Sequence, residues 1–164
     1  MAPRAPRGES GFSLAELIVV LAVIGIVTAF SVPMMLTYWR SATLMAGARE
    51  VAAVLNSARE LAIRENTNVC VTTSVLPDTS TRLQYHLGTC GAATWKGPVT
   101  DGDGNIRLDN GVTVNGTTSV IFNYLGAAIQ AGTGSYTVRR QNVTGSFIVT
   151  VVQNGRVSIG MFIP

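Results

Sequence analysis

The chain has 164 residues, of which 47% are hydrophobic and only 13% are charged, and its formal net charge is +3. This length suits one domain with an appended segment, and so small a positive charge does not by itself indicate a nucleic-acid partner. His86 is the only histidine, and the chain has no CxxC pair, no GxSxG motif and no Gly-rich phosphate loop. We therefore expect neither an enzyme nor a zinc site, and no cofactor.

The N-terminus consists of a polar, basic segment followed by a long apolar one. Residues 1–11 (MAPRAPRGESG) are short and rich in Pro and Gly, and are not expected to fold. Residues 17–36 carry no charge and are long enough for a helix to cross a hydrocarbon core of ~30 Å. Arg4 and Arg7 should stay cytoplasmic by the positive-inside rule, which directs the remainder outward. Pro33 lacks a backbone N–H and is expected to bend this helix.

The helical pattern continues beyond the apolar segment. Apolar residues recur every three or four positions, which predicts one buried stripe on a helix running from about residue 14 to residue 65. Its first half is apolar on all sides, while its second half is amphipathic and should pack against a domain. The residues of the stripe are Leu44, Ala48, Val51, Val54, Leu55, Ala58, Leu61 and Ala62.

After Asn66 the pattern changes to the alternation that is typical of strands. Runs such as NVCVTTSV, SVIFNYL and SFIVTVV are separated by Gly, Asn, Asp and Pro clusters. Asn154 and Gly155 predict a two-residue hairpin with a type I′ turn. The expected fold is therefore α+β, with a long N-terminal helix packed on an antiparallel β-sheet domain.

Two further features admit more than one interpretation. Cys70 and Cys90 are expected to form a disulfide if this region lies outside the cytoplasm, contributing roughly 3 kcal/mol; the alternative is two separate buried thiols. The segment DGDGN, which starts at Asp101, matches the first ligands of a calcium loop. Because Ile106 and Val112 occupy the positions where that loop needs Gly and Glu, a simple turn is expected and no metal site.

The charge at Glu16 is the most informative feature of the N-terminus. Residues 11–16 read GFSLAE and lead directly into the apolar helix, which resembles the prepilin motif of type IV pilins and type II secretion pseudopilins. The resemblance implies that a prepilin peptidase cuts between Gly11 and Phe12 and then N-methylates the new Phe12 amine. Pro33 also stands at a position where the family commonly has proline. The alternative is an ordinary signal peptide cleaved after Ala29, but this gives Glu16 no role.

The same resemblance suggests why a carboxylate lies in an apolar helix. An unpaired charge in hydrocarbon costs several kcal/mol, so Glu16 requires a cation. Cleavage would create one at Phe12, either in the same chain or in a neighbouring subunit. Such a pair would fix the axial register of subunits more than it would stabilise them.

The β region resembles the GspH/FimT family in Trp95 with the Gly/Asp segment after it, in the FNYLG segment at residues 122–126, and in the terminal hairpin with Gly155 and Arg156. The resemblance implies a minor pseudopilin of type II secretion, in a filament with other pseudopilins. The alternative is a FimT-like minor type IV pilin acting in pilus biogenesis or DNA uptake.

DNA is the less expected partner. The Gly-Arg-x-Arg hairpin of DNA-binding members is matched at Arg156, but Ser158 replaces the second arginine. Arg139 and Arg140 are adjacent in a predicted strand, so we expect them to face opposite sides and not to form one patch.

The expected organisation is a single-pass protein of the bacterial inner membrane with a periplasmic C-terminal domain. It comprises a leader (residues 1–11), a transmembrane and polymerisation helix (12–36), an amphipathic helical half (37–66) and a β domain (67–164).

Overall fold

The computed structural model describes residues 13–75, 81–109, 111–116, 119–129, 134–141 and 143–164. The predicted leader and the predicted cleavage site, Gly11 and Phe12, lie outside the described residues. One helix, α1, spans Leu14–Arg64. Eight strands follow among the described residues: β1 Val69–Val75, β2 Thr81–Leu87, β3 Asn105–Ile106, β4 Val112–Gly116, β5 Val120–Phe122, β6 Gly134–Arg140, β7 Phe147–Val151 and β8 Val157–Ile159.

The chain divides into two compact units, Met1–Trp39 and Arg40–Pro164. The described part of the first unit consists of Ser13 and the N-terminal part of α1. The second unit contains the remainder of α1 and all eight strands. The helix continues through Pro33, and the bend expected there remains a prediction.

The amphipathic part of α1 supplies one side of the hydrophobic core. Seven of the eight predicted stripe residues are buried, and the eighth, Val54, is partly buried against the same core. Small residues such as Ala48 and Ala58 leave room for close approach of the sheets. The helix ends in a Schellman motif, because Asn66 has a φ of 48° and Thr67 N–H donates to Ala62 O.

The strands form two antiparallel sheets with the orders β3-β2-β1-β5 and β4-β6-β7-β8. Buried and partly exposed residues alternate along β4, β6 and β7, as expected for strands with one face on a core. Tyr85, Phe122 and Tyr136 are the largest fully buried side chains and join the helix stripe in one cluster. The predicted α+β fold is therefore confirmed.

A disulfide joins Cys70, in β1, to Cys90, in the loop after β2. Cys70 lies opposite His86 in the β1–β2 pair. The His86 ring uses both nitrogens, since Nδ1–H donates to Ala92 O at 2.8 Å and Nε2 lies 3.0 Å from Thr72 Oγ1. His86 is thus a structural residue that ties the disulfide loop to the sheet.

The hairpin between β7 and β8 differs from the predicted one. A type I′ turn needs a positive φ at both Asn154 and Gly155, but among the described non-glycine residues only Asn66 has a positive φ. Instead, Gly155 N–H donates to Val152 O, and Gly155 follows the turn with a φ of 77°. This is a type I turn followed by a G1 bulge, and the predicted turn type was wrong.

The conformation of Gly155 is set by contacts that lie far away in the sequence. A Cβ placed at Gly155 would lie 1.8 Å from Gly126 O and 3.3 Å from Arg59 Nε. Gly126 itself has a φ of 79° and packs against the same Arg59 side chain. Ala128 N–H also donates to Gln153 O, at 3.0 Å. The last hairpin and the turn after β5 therefore meet backbone to backbone, and the Arg59 side chain of α1 packs against both.

We expect Gly155→Ala to destabilise the protein by more than about 2 kcal/mol, because it adds a left-handed φ penalty to a clash with backbone. Urea denaturation of the full chain in detergent measures the change. Gly102→Ala is the matched control, since a Cβ there would meet no atom within 4 Å; it should stay within about 0.5 kcal/mol of the parent. Equal stability of the two variants would contradict the packing argument.

Candidate assembly and binding sites

The N-terminal part of α1 exposes its apolar side chains on all sides. It is long and apolar enough to cross a membrane, and no part of its most apolar stretch is buried within the protein. The hydroxyls in this segment bond back to the helix: Thr28 Oγ1 donates to Ile24 O at 2.8 Å and Ser31 Oγ donates to Val27 O at 2.8 Å. Their polar hydrogens are therefore satisfied without water, as a lipid environment requires.

Glu16 lies in the first turn of α1 and is exposed. It is the only charged residue between Ser13 and Trp39. Its carboxylate forms no hydrogen bond or ion pair with any other residue that the structure describes, while the predicted partner Phe12 lies outside that part of the chain. The first turn of a helix favours a negative charge through the exposed N–H groups and the helix dipole, which is compatible with helix formation here.

The last hairpin carries the arginine proposed from the sequence for DNA contact. Arg156 is exposed, and its backbone N–H donates to Asn154 Oδ1 at 2.9 Å. Ser158, which replaces the second arginine, lies in β8, and its Oγ is 2.9 Å from Thr150 Oγ1 in β7. The hairpin therefore presents one arginine, and Ser158 contributes to the contact between β7 and β8.

The Asp101 turn is closed by its own hydrogen bonds. Asp101 Oδ1 accepts from the backbone N–H groups of Asn105 at 2.8 Å and Asp103 at 3.0 Å, and Oδ2 accepts from Arg82 at 3.0 Å. The pKa of Asp101 lies below its ordinary value, mainly because its carboxylate accepts the hydrogen bond from the Asn105 N–H. In the described part of the chain no group of three or more His, Cys, Asp or Glu residues could hold a metal.

A cavity of about 720 Å³ lies at the ends of β2, β4 and β6 and is lined in part by Arg82, Arg107, Arg139 and Arg140. The expectation that Arg139 and Arg140 cannot share a patch is therefore wrong. Alternation sets the Cβ directions, but the cavity lies at the end of β6, and both of the last two residues of the strand line it. The sequence did not single out Arg107, since no local pattern links the loop after β3 to the end of β6.

Two family models match the chain. The prokaryotic N-terminal methylation motif matches residues 6–32, and the type II transport protein GspH model matches residues 47–155. No curated protein sequence gives a significant match.

Solved structures of similar fold include the type IV minor pilin FimU of Pseudomonas aeruginosa, with a TM-score of 0.54 and 18% identity over 76% of this chain and 92% of that chain. The minor pseudopilin EpsH from the type 2 secretion system of Vibrio cholerae matches with a TM-score of 0.51 and 17% identity, over 71% of this chain and 94% of that chain. At these identities the likeness shows a shared pilin-like fold.

The methylation motif implies processing by a prepilin peptidase, and the apolar helix that carries it is consistent with an inner-membrane anchor. The second model covers well over half of the chain. The chain therefore belongs to the type II transport protein GspH family, whose members are structural pseudopilin subunits and not enzymes.

Proposed function

We propose that this protein is a minor pseudopilin that joins a hetero-oligomeric, pilus-like filament in the periplasm and promotes protein export by type II secretion. A prepilin peptidase removes residues 1–11 and methylates Phe12. The anchored subunit then moves from the bilayer into the filament, where its apolar helix makes the contacts with other subunits. The observation that carries the proposal is Glu16, the single charge in an exposed apolar segment, within a chain of the GspH family.

The proposal assigns Glu16 to subunit register. No Lys or Arg lies between Ser13 and Trp39, so this segment contains no side chain that can neutralise the carboxylate. The α-amine that cleavage creates at Phe12 is the nearest cation that the mature chain can provide. The Phe12 amine of one subunit can pair with the Glu16 carboxylate of the next at only one axial offset between the two subunits. At any other offset the amine and the carboxylate are both left unpaired in an apolar bundle.

The first prediction of this proposal concerns processing. Mass spectrometry of the protein from native membranes should find a mature N-terminus at Phe12 that carries one methyl group. A mature chain that starts near Phe30 would instead indicate a secreted or otherwise anchored domain. Gly11→Val should leave the leader attached, because the peptidase acts at this bond.

The second prediction concerns assembly. Glu16→Gln and Glu16→Ala should be cleaved and inserted like the parent but should enter filaments poorly, with at least a ten-fold lower yield of the subunit in sheared or cross-linked filaments. The loss follows from an unpaired Phe12 amine in the apolar core, which costs several kcal/mol.

Glu60→Gln is the matched control for the assembly prediction, since Glu60 is an exposed carboxylate on the same helix. It should be incorporated normally. Normal incorporation of Glu16→Gln would remove the proposed role of the carboxylate, whereas a loss of cleavage would assign Glu16 to peptidase recognition.

The alternative is a FimT-like minor type IV pilin that takes part in pilus biogenesis or DNA uptake, and the exposed Arg156 favours it. We expect only weak binding, because one arginine supplies one phosphate contact and Ser158 supplies none. A salt titration of DNA binding by the full chain in detergent tests this. Tight binding that Arg156→Gln abolishes would favour the uptake pilin over the secretion subunit.

A further inference from the structure

The arginine-lined cavity has no role in the function proposed above. Its described lining combines four arginines with one carboxylate, that of Asp109. The arginines come from β2, from the loop after β3 and from the end of β6, so the fold brings together cations that are remote in sequence. Such an arrangement is suited to an anion, because a guanidinium matches the oxygens of phosphate or carboxylate with a planar fork.

Two of the four arginines are already engaged. Arg82 is paired with Asp101 at 3.0 Å, and its side chain is only 13% exposed. Arg140 donates a hydrogen bond to Thr43 Oγ1 of α1. Both contacts hold side chains around the cavity, and the Thr43 hydroxyl, unlike a carboxylate, brings no negative charge to Arg140.

Arg107 and Arg139 are exposed, and their side chains have no hydrogen-bond or ion-pair partner among the described residues. Two further carboxylates lie close by: that of Asp101 on Arg82, and that of Glu50, whose Oε1 accepts from Asp109 N–H at 2.9 Å. In the described part of the chain, four guanidinium groups and three carboxylates thus lie in or beside the cavity, and Arg107 and Arg139 are the two arginines without a partner.

The residue of α1 that holds Arg140 is close in sequence to the predicted membrane segment. Thr43, which holds Arg140, is only seven residues after Leu36, the last residue of the predicted membrane segment. Tyr38 and Trp39 lie between them, and such aromatic residues are enriched at the interface between lipid and water. The hydrogen bond from Arg140 therefore joins the cavity to the part of α1 that follows the membrane segment in the sequence.

We propose that this cavity binds the phosphate group of an anionic phospholipid, with Arg107 and Arg139 as its principal ligands. The inference rests on the membrane-anchored subunit proposed above. The hydroxyls of a glycerol headgroup can donate to the Asp109 carboxylate, which would be an unfavourable neighbour for a bare polyanion. Binding holds the domain against the bilayer until the subunit enters the filament and leaves the lipid.

Native mass spectrometry of the full chain, released from detergent micelles with added phosphatidylglycerol or phosphatidylcholine, tests the proposal. The parent should retain phosphatidylglycerol preferentially. Arg107→Gln and Arg139→Gln should each lower this preference about five-fold, and the double variant about twenty-five-fold, as expected for two basic residues at an anionic surface. Both side chains are exposed, so the variants should unfold at the parent's temperature.

Arg64→Gln with Lys96→Gln is the matched control, because it removes the same charge from two exposed residues that do not line the cavity. It should retain the lipid like the parent. Equal retention of both lipids by the parent, or an equal loss in control and cavity variants, would overturn the proposal. Release of the lipid by inorganic phosphate, but not by chloride of equal ionic strength, would assign the cavity to a soluble anion instead.

The proposed function is tested separately, by the membrane fraction and N-terminal mass of the same preparation. An anchored chain with a methylated Phe12 that shows no lipid preference would overturn only the lipid inference. A chain that is not anchored would overturn both.

Discussion

The architecture depends on one electrostatic constraint: the apolar segment of α1 before Trp39 contains a single carboxylate and no cationic side chain. Glu16 is tolerable at a membrane surface, where water and the N-terminal turn of the helix stabilise it, but not in an apolar bundle without a positive partner. We infer that Glu16 takes a cation as its partner when the subunit moves from lipid into the filament. We infer that leader cleavage supplies this cation, which would make processing a chemical precondition for assembly rather than a mere trimming step.

The second half of α1 meets a different requirement within the same helix. Its buried stripe completes a core with both sheets, so this part is fixed by packing whereas the first part exposes its apolar surface. The contact between Gly126, Gly155 and Arg59 ties the last hairpin to the helix. Gly155 is thus required by the fold itself, and its presence beside Arg156 is no evidence for DNA binding.

Sequence patterns predicted those features that depend on local periodicity. The stripe from Leu44 to Ala62 and the antiparallel strands follow from side-chain spacing, and the structure confirms them. The hairpin type was wrong because Gly155 does not lie inside the turn but follows it, packed against Gly126, which is remote in the sequence. The cavity was missed for the same reason: Arg140 is held by Thr43, 97 residues away, and no alternation rule describes a strand end.

The modest net charge also illustrates why bulk composition is a poor guide to binding. Without residues 1–11 the chain loses two arginines and one glutamate, so that 12 basic and 9 acidic residues become 10 and 8, a net charge of +2. At physiological ionic strength, however, exposed charges beyond about 8 Å are largely screened. An anion at the cavity therefore responds to the groups beside it, and among these the exposed Arg107 and Arg139 have no acidic partner within the described chain. A small total charge is compatible with a strongly anion-selective site, because selectivity depends on where the charges lie.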